Sequence, residues 1–186
     1  LLASLGGAGV DRFSRLRARR PVLFAGLCGL LVALIGVAGD GACFGSGYAT
    51  TRALVEGGAP LPAIFAPMKF VATWLTAWSG APAGIFAPAL AIGAAIGNDV
   101  ALLFPQVPMA ALIALGMVGF LAAVTQAPLT AFIIVMEMVD GHSMVLSLMA
   151  CALVSTAVSR IISPPLYPGL AKMQARPREA PTELHT

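Results

Sequence analysis

The sequence predicts an all-α protein embedded in a membrane, with about eight tilted and partly broken helices. Three observations carry that prediction. Of 186 residues, 59% are hydrophobic and only 10% charged, and the mean hydropathy is +0.91; a soluble domain carries about 25% charged residues. The apolar residues fall in successive runs divided by Gly- and Pro-rich turns. Several runs are shorter than the roughly 20 residues of a full span. Short, interrupted helices suit a transporter or channel built from broken helices, because irregular backbone survives at depth only where protein or a water-filled cavity satisfies it.

Charge and cysteine usage narrow the class further. The net charge of +3 reflects where the arginines sit and points to no nucleic-acid partner. The 3 cysteines, Cys28, Cys43 and Cys151, lack metal-ligand spacing and form no disulfide framework. Cys28 and Cys151 read as small packed residues. No metal or organic cofactor is expected.

Residues 1–9 read as the end of a helix whose start is missing, so the chain is expected to be the later part of a longer protein. Arg12, Arg15, Arg17, Arg19 and Arg20 form the one basic cluster, a solvated linker placed on the cytoplasmic side. Residues 21–38 are uncharged and apolar, a helix running outward. Residues 39–59 form a Gly-rich outer loop with a short helix. Residues 61–78 return inward, with Lys69 as an interruption that either snorkels or faces a protein interior. Trp74 and Trp78 read as interface or packing residues.

Gly84-Ile85-Phe86-Ala87-Pro88 organises the rest. It follows Ser79-Gly80-Ala81-Pro82-Ala83 and precedes an apolar run to Phe104. One helix ends in the turn and a second begins near Gly84 or Ile85. Pro88 then falls in the first helical turn, where a missing N–H costs little. The N–H groups of Ile85, Phe86 and Ala87 have no carbonyl partner inside the helix, and the positive end of a helix favours an anion. Two readings are open at this point: a backbone anion site at depth, or a hinge that only joins two packed helices.

Gly93 and Gly97 form a small-xxx-small pair, a common packing device. Residues 109–124 are the next helix, closed by Thr125-Gln126-Ala127-Pro128. Residues 129–139 follow, with Glu137 read as a carboxylate reaching interfacial water. Asp140-Gly141-His142 is a tight turn on the outer side. Residues 143–162 form a further helix that ends near Arg160. A polar tail with Lys172, Arg176 and Arg178 is placed with the arginine linker in the cytoplasm. His142 and His185 sit in a loop and the tail, with no nucleophile beside them.

Ser79-Gly80-Ala81-Pro82-Ala83-Gly84-Ile85-Phe86-Ala87-Pro88 resembles the GxFxP signature of the ClC chloride channels and chloride/proton antiporters. Ala127-Pro128-Leu129-Thr130, followed by Glu137-Met138, is similar to that family's next signature. Pro165-Leu166-Tyr167 resembles its tyrosine motif near the C-terminus. Ala131 and Val139 stand where the family often has glycine and threonine.

The resemblance implies the second half of an inverted-repeat fold, over residues 1–175, with residues 176–186 as a cytoplasmic tail. It implies chloride as the transported ligand, bound by the Ile85 and Phe86 N–H groups within 84–88, with the Tyr167 hydroxyl donating at an inner site. Neutral donors suit transport, since they bind an anion weakly enough to release it. The resemblance further implies a missing N-terminal half that carries the serine loop and gating glutamate, and a homodimer joined through helices near 128–139 and 143–162. Gly45-Ser46-Gly47-Tyr48 precedes no proline and is not the serine loop. Location in a bacterial inner membrane is expected, as a transport protein and not an enzyme. The alternatives are another broken-helix secondary transporter, or an intramembrane hydrolase, for which the sequence offers no convincing pair of nucleophile and buried base.

Overall fold

The computed structural model describes residues 21–39, 41–58, 61–79 and 84–162. All regular structure among them is helical: α1 (Pro21–Ala38), α2 (Tyr48–Val55), α3 (Phe65–Ser79), α4 (Phe86–Leu103), α5 (Met109–Thr125), α6 (Pro128–Met138), a 3₁₀ turn (His142–Met144) and α7 (Val145–Ile162). The all-α expectation holds. The arginine cluster, Asp40, residues 80–83, Tyr167 and the tail lie outside the described residues.

The boundaries follow local chemistry. Pro21 stands at the first position of α1, where its missing N–H is harmless. Pro128 does the same for α6. Gln126 ends α5 in the left-handed conformation at φ 54° and returns its N–H to the Ala122 carbonyl at 2.9 Å. Two boundaries differ from expectation. The third helix starts at Phe65, not at residue 61, because Leu61 is already engaged. Its N–H donates to Asn98 Oδ1 at 3.4 Å and its carbonyl accepts from Asn98 Nδ2 at 3.1 Å. The last helix starts at Val145, since the Met144 N–H closes a tighter turn onto the Gly141 carbonyl at 2.9 Å.

The fold is centred on α4 and α5. On α5, Ile113, Met117, Val118 and Leu121 are fully buried, and Ala94, Leu54, Val135, Leu148 and Ala152 pack into the same core. The two helices touch backbone to backbone. A Cβ on Gly93 would lie 2.5 Å from the Gly116 carbonyl oxygen, and one on Gly97 would lie 2.6 Å from the Ile113 Cα. Gly116 on α5 meets Gly93 and Gly97 in return. The small-xxx-small pair therefore makes a close backbone-to-backbone contact in the core, as expected where small residues let helices approach.

Helix α7 lies on α5 through a ladder of small polar groups. Cys151 Sγ donates to the Leu115 carbonyl at 3.5 Å, Thr156 Oγ1 to Ala122 at 3.3 Å, and Ser159 Oγ to Ala123 at 2.6 Å. On α3, Thr73 and Thr76 return their hydroxyls to carbonyls four residues earlier. Such bonds leave few polar groups unsatisfied, which an apolar solvent demands. The outward faces of α1 and α7, including Val22, Leu23, Leu146, Val154 and Ile161, are apolar and exposed. By length and composition, residues 86–103 and 142–162 are long and apolar enough to cross a membrane, while Val22–Ala38, Met109–Thr125 and Pro128–Met138 are shorter apolar helices.

Candidate functional site

The N-terminus of α4 is built as the sequence predicts, one residue later. Helical structure begins at Phe86 with Ile85 as its cap, and the Ala89 N–H makes the first bond, to the Ile85 carbonyl at 3.0 Å. Pro88 has no N–H. The N–H groups of Gly84, Ile85, Phe86 and Ala87 donate no hydrogen bond to a described residue. No side chain caps this end.

Burial sets this end apart from the helix behind it. Residues Ala89 to Ala95 are all buried, whereas Gly84 is exposed and Phe86 is 41% exposed. These donors, which pair with no described residue, therefore sit at an accessible end ahead of a buried stretch from Ala89 to Ala95. An 18-residue helix adds roughly half a positive charge there from its aligned peptide dipoles. Chemically, the arrangement can hold a small anion by backbone alone.

Three contacts fix the direction of this helix. The Gly93–Gly97–Gly116 crossing fixes it against α5. The Asn98 side chain, fully buried, pairs with both backbone groups of Leu61 and donates to Asp99 Oδ1 at 3.2 Å. Gly47, at φ 81°, lies so near α4 that a Cβ would stand 2.6 Å from the Ala91 Cβ.

Lys69, which the sequence allows either at the lipid interface or in the interior, turns inward. It is 2% exposed, and its Nζ donates to the Cys43 carbonyl at 3.0 Å and the Gly45 carbonyl at 2.8 Å. The role of Asn98 and the partners of Lys69 were missed by sequence reasoning. The available signals were a strongly polar residue inside an apolar run and a Gly-rich loop upstream. Glu137 is exposed near the end of α6 and makes no ion pair with a described residue. The turn beside it holds His142 and Asp140, whose side chains meet at 3.4 Å while both are largely exposed. Arg52 and Glu56 form a surface pair at 2.7 Å, of a kind that adds little stability. Among the described residues no group of His, Cys, Asp and Glu could hold a metal. The expected site residue Tyr167 lies outside them.

Short apolar helices divided by Gly- and Pro-rich turns, with exposed apolar outer faces, define the class: a membrane-embedded helical fold. Residues 4–160 match the voltage gated chloride channel family, and the chain belongs to that family. It is therefore a membrane protein. It is 33% identical over 168 residues to "H(+)/Cl(-) exchange transporter ClcA" of Yersinia pestis bv. Antiqua (strain Angola), an alignment covering 85% of this chain and 34% of the relative. The same figures hold for the protein of that name in Yersinia pseudotuberculosis serotype O:3 (strain YPIII). With the ClcA of Salmonella paratyphi A it is 41% identical over 106 residues, covering 53% of this chain and 22% of the relative. The chain thus spans about a third of the length of the first two relatives.

Proposed function

We propose that this chain supplies part of a chloride pathway, in a chloride channel or a chloride/proton exchanger. The observation that carries the reading is the α4 N-terminus, where the amides of residues 84–87 pair with no described residue. Family membership and the exchanger names of the relatives support it. Bare chloride in hydrocarbon costs tens of kcal/mol by a Born estimate. Backbone donors and a helix dipole offset part of that cost without a contacting cation that would hold the ion too tightly. In this reading Gly84, Ile85, Phe86, Ala87 and Pro88 form one side of the site, and Tyr167 donates from another.

The donors present here are too few for a dehydrated ion, and the relatives are about three times longer than the matched span. The reading therefore includes a preceding half-domain that completes the pathway. It also includes residues 1–175 as membrane domain, residues 176–186 as a cytoplasmic tail, a bacterial inner-membrane location, and a homodimer through the outer faces of α6 and α7. Chloride efflux from liposomes tests the reading. The assembled protein should release chloride selectively, while this chain alone should not. Selective efflux from this chain alone would contradict the half-pathway, and no efflux from the assembled protein would contradict anion transport.

A further inference from the structure

Lys69 carries a buried positive charge that the backbone site does not use. Its Nζ is held by two carbonyl oxygens, Cys43 at 3.0 Å and Gly45 at 2.8 Å. No described carboxylate lies within ion-pair distance. Carbonyl dipoles solvate an ammonium but do not cancel its net charge. In a low-dielectric interior such a charge reaches further than in water, and ionisable residues inside a membrane protein are costly enough to need a reason.

The geometry directs that charge toward α4. Lys69 and Ala91 meet across one glycine: a Cβ on Gly47 would stand 3.2 Å from the Lys69 Cε and 2.6 Å from the Ala91 Cβ. Ala91 lies five residues beyond Phe86, about 7.5 Å along the helix at 1.5 Å per residue. The ammonium is tethered to the Cys43 and Gly45 carbonyls, near Ala91 and behind the first turn of α4.

We propose that Lys69 is a positioning charge that raises the anion affinity of the α4 N-terminus through its field, without touching the ion. The inference rests on the chloride-site reading above and names a residue that tunes it. At an effective dielectric of about 20, a unit charge changes the affinity for a monovalent anion by about tenfold when roughly 12 Å separate the two. A contacting lysine would change it far more and hinder release. The arrangement therefore strengthens binding while leaving the ion mobile.

The test is calorimetric titration of chloride into the assembled protein in detergent, alongside thermal unfolding. Lys69→Gln keeps an amide donor for the loop carbonyls and removes the charge. Lys69→Met is a second neutral variant that fills the volume of the stem. Lys69→Arg keeps the charge. The neutral variants should bind chloride about tenfold more weakly, and Lys69→Arg should bind within about twofold of wild type. Neutral variants that bind like wild type would overturn the proposal. So would a Lys69→Arg protein as weak as Lys69→Gln, because geometry and not charge would then be the cause. Wild type that binds no chloride would instead overturn the chloride-site reading itself.

Discussion

Replacing Gly116 by alanine tests whether the helix crossing positions the site. The new Cβ would meet the Gly93 carbonyl oxygen and would stand 2.8 Å from the Gly97 N and 2.9 Å from the Gly97 Cα. All three atoms are backbone, so no side chain can turn aside. Ordinary carbon contacts are about 3.5–4.0 Å, so α4 and α5 must part by roughly 1 Å. Overpacking of this kind costs about 1–3 kcal/mol, and alanine regains up to about 1 kcal/mol as the better helix former. The net expectation is a loss of about 0–2 kcal/mol, with a displaced α4 and weaker chloride binding. Gly26→Ala is the control, since nothing lies within 4 Å of its Cβ position. Denaturant unfolding of the assembled protein in detergent should rank the proteins Gly26→Ala, wild type, Gly116→Ala, from most to least stable. A Gly116→Ala protein as stable as Gly26→Ala, with unchanged chloride affinity, would refute the reasoning.

Further expectations concern neighbouring parts of the account. Asn98→Leu leaves the half-buried Leu61 N–H and carbonyl without their partner, and should cost up to about 1–3 kcal/mol for each orphaned group; equal unfolding midpoints would show that water replaces the clamp. Tyr167→Phe should weaken chloride binding by removing a hydroxyl donor worth about 1.5–3 kcal/mol to a charged partner, and a titration matching wild type would remove Tyr167 from the site. Cysteines placed at Arg17 and Gly141 should react with an impermeant reagent from opposite sides of the membrane, as the arginine asymmetry requires; labelling of both from one side would end that topology.

Much of the fold was legible because its punctuation is local. Pro21 with Gly39 bounds the first helix, and Pro128 starts α6 just after the Gln126 cap. The start of α3 was misplaced because its cause is tertiary. Leu61 is taken out of the helix by an asparagine 37 residues later, and no local propensity carries that information. The α4 N-terminus was legible in the same way as the helices, since the proline pattern and the lack of a capping side chain are both local. Lys69 was not, because its choice between interface and interior depends on carbonyls 24 and 26 residues upstream. The weight of Gly93 and Gly97 was also hidden, since their partner Gly116 lies on another helix.

The central claim is that the backbone N–H of residues 85 and 86 binds the anion. Replacing the amide N–H of Phe86 by an ester oxygen, with the side chain kept, removes one donor and weakens the Ile85 carbonyl that accepts the Ala89 N–H. The N–H to be removed pairs with no described residue, so the helix keeps all its bonds, the Ala89-to-Ile85 bond in weakened form. Calorimetric titration of the assembled protein with chloride should then show a loss of about 1.5–3 kcal/mol, or roughly 10- to 150-fold in affinity. The unfolding midpoint should stay close to that of the all-amide protein. An ester protein that binds chloride as tightly as the all-amide protein would contradict the claim, and the α4 N-terminus would then be a hinge.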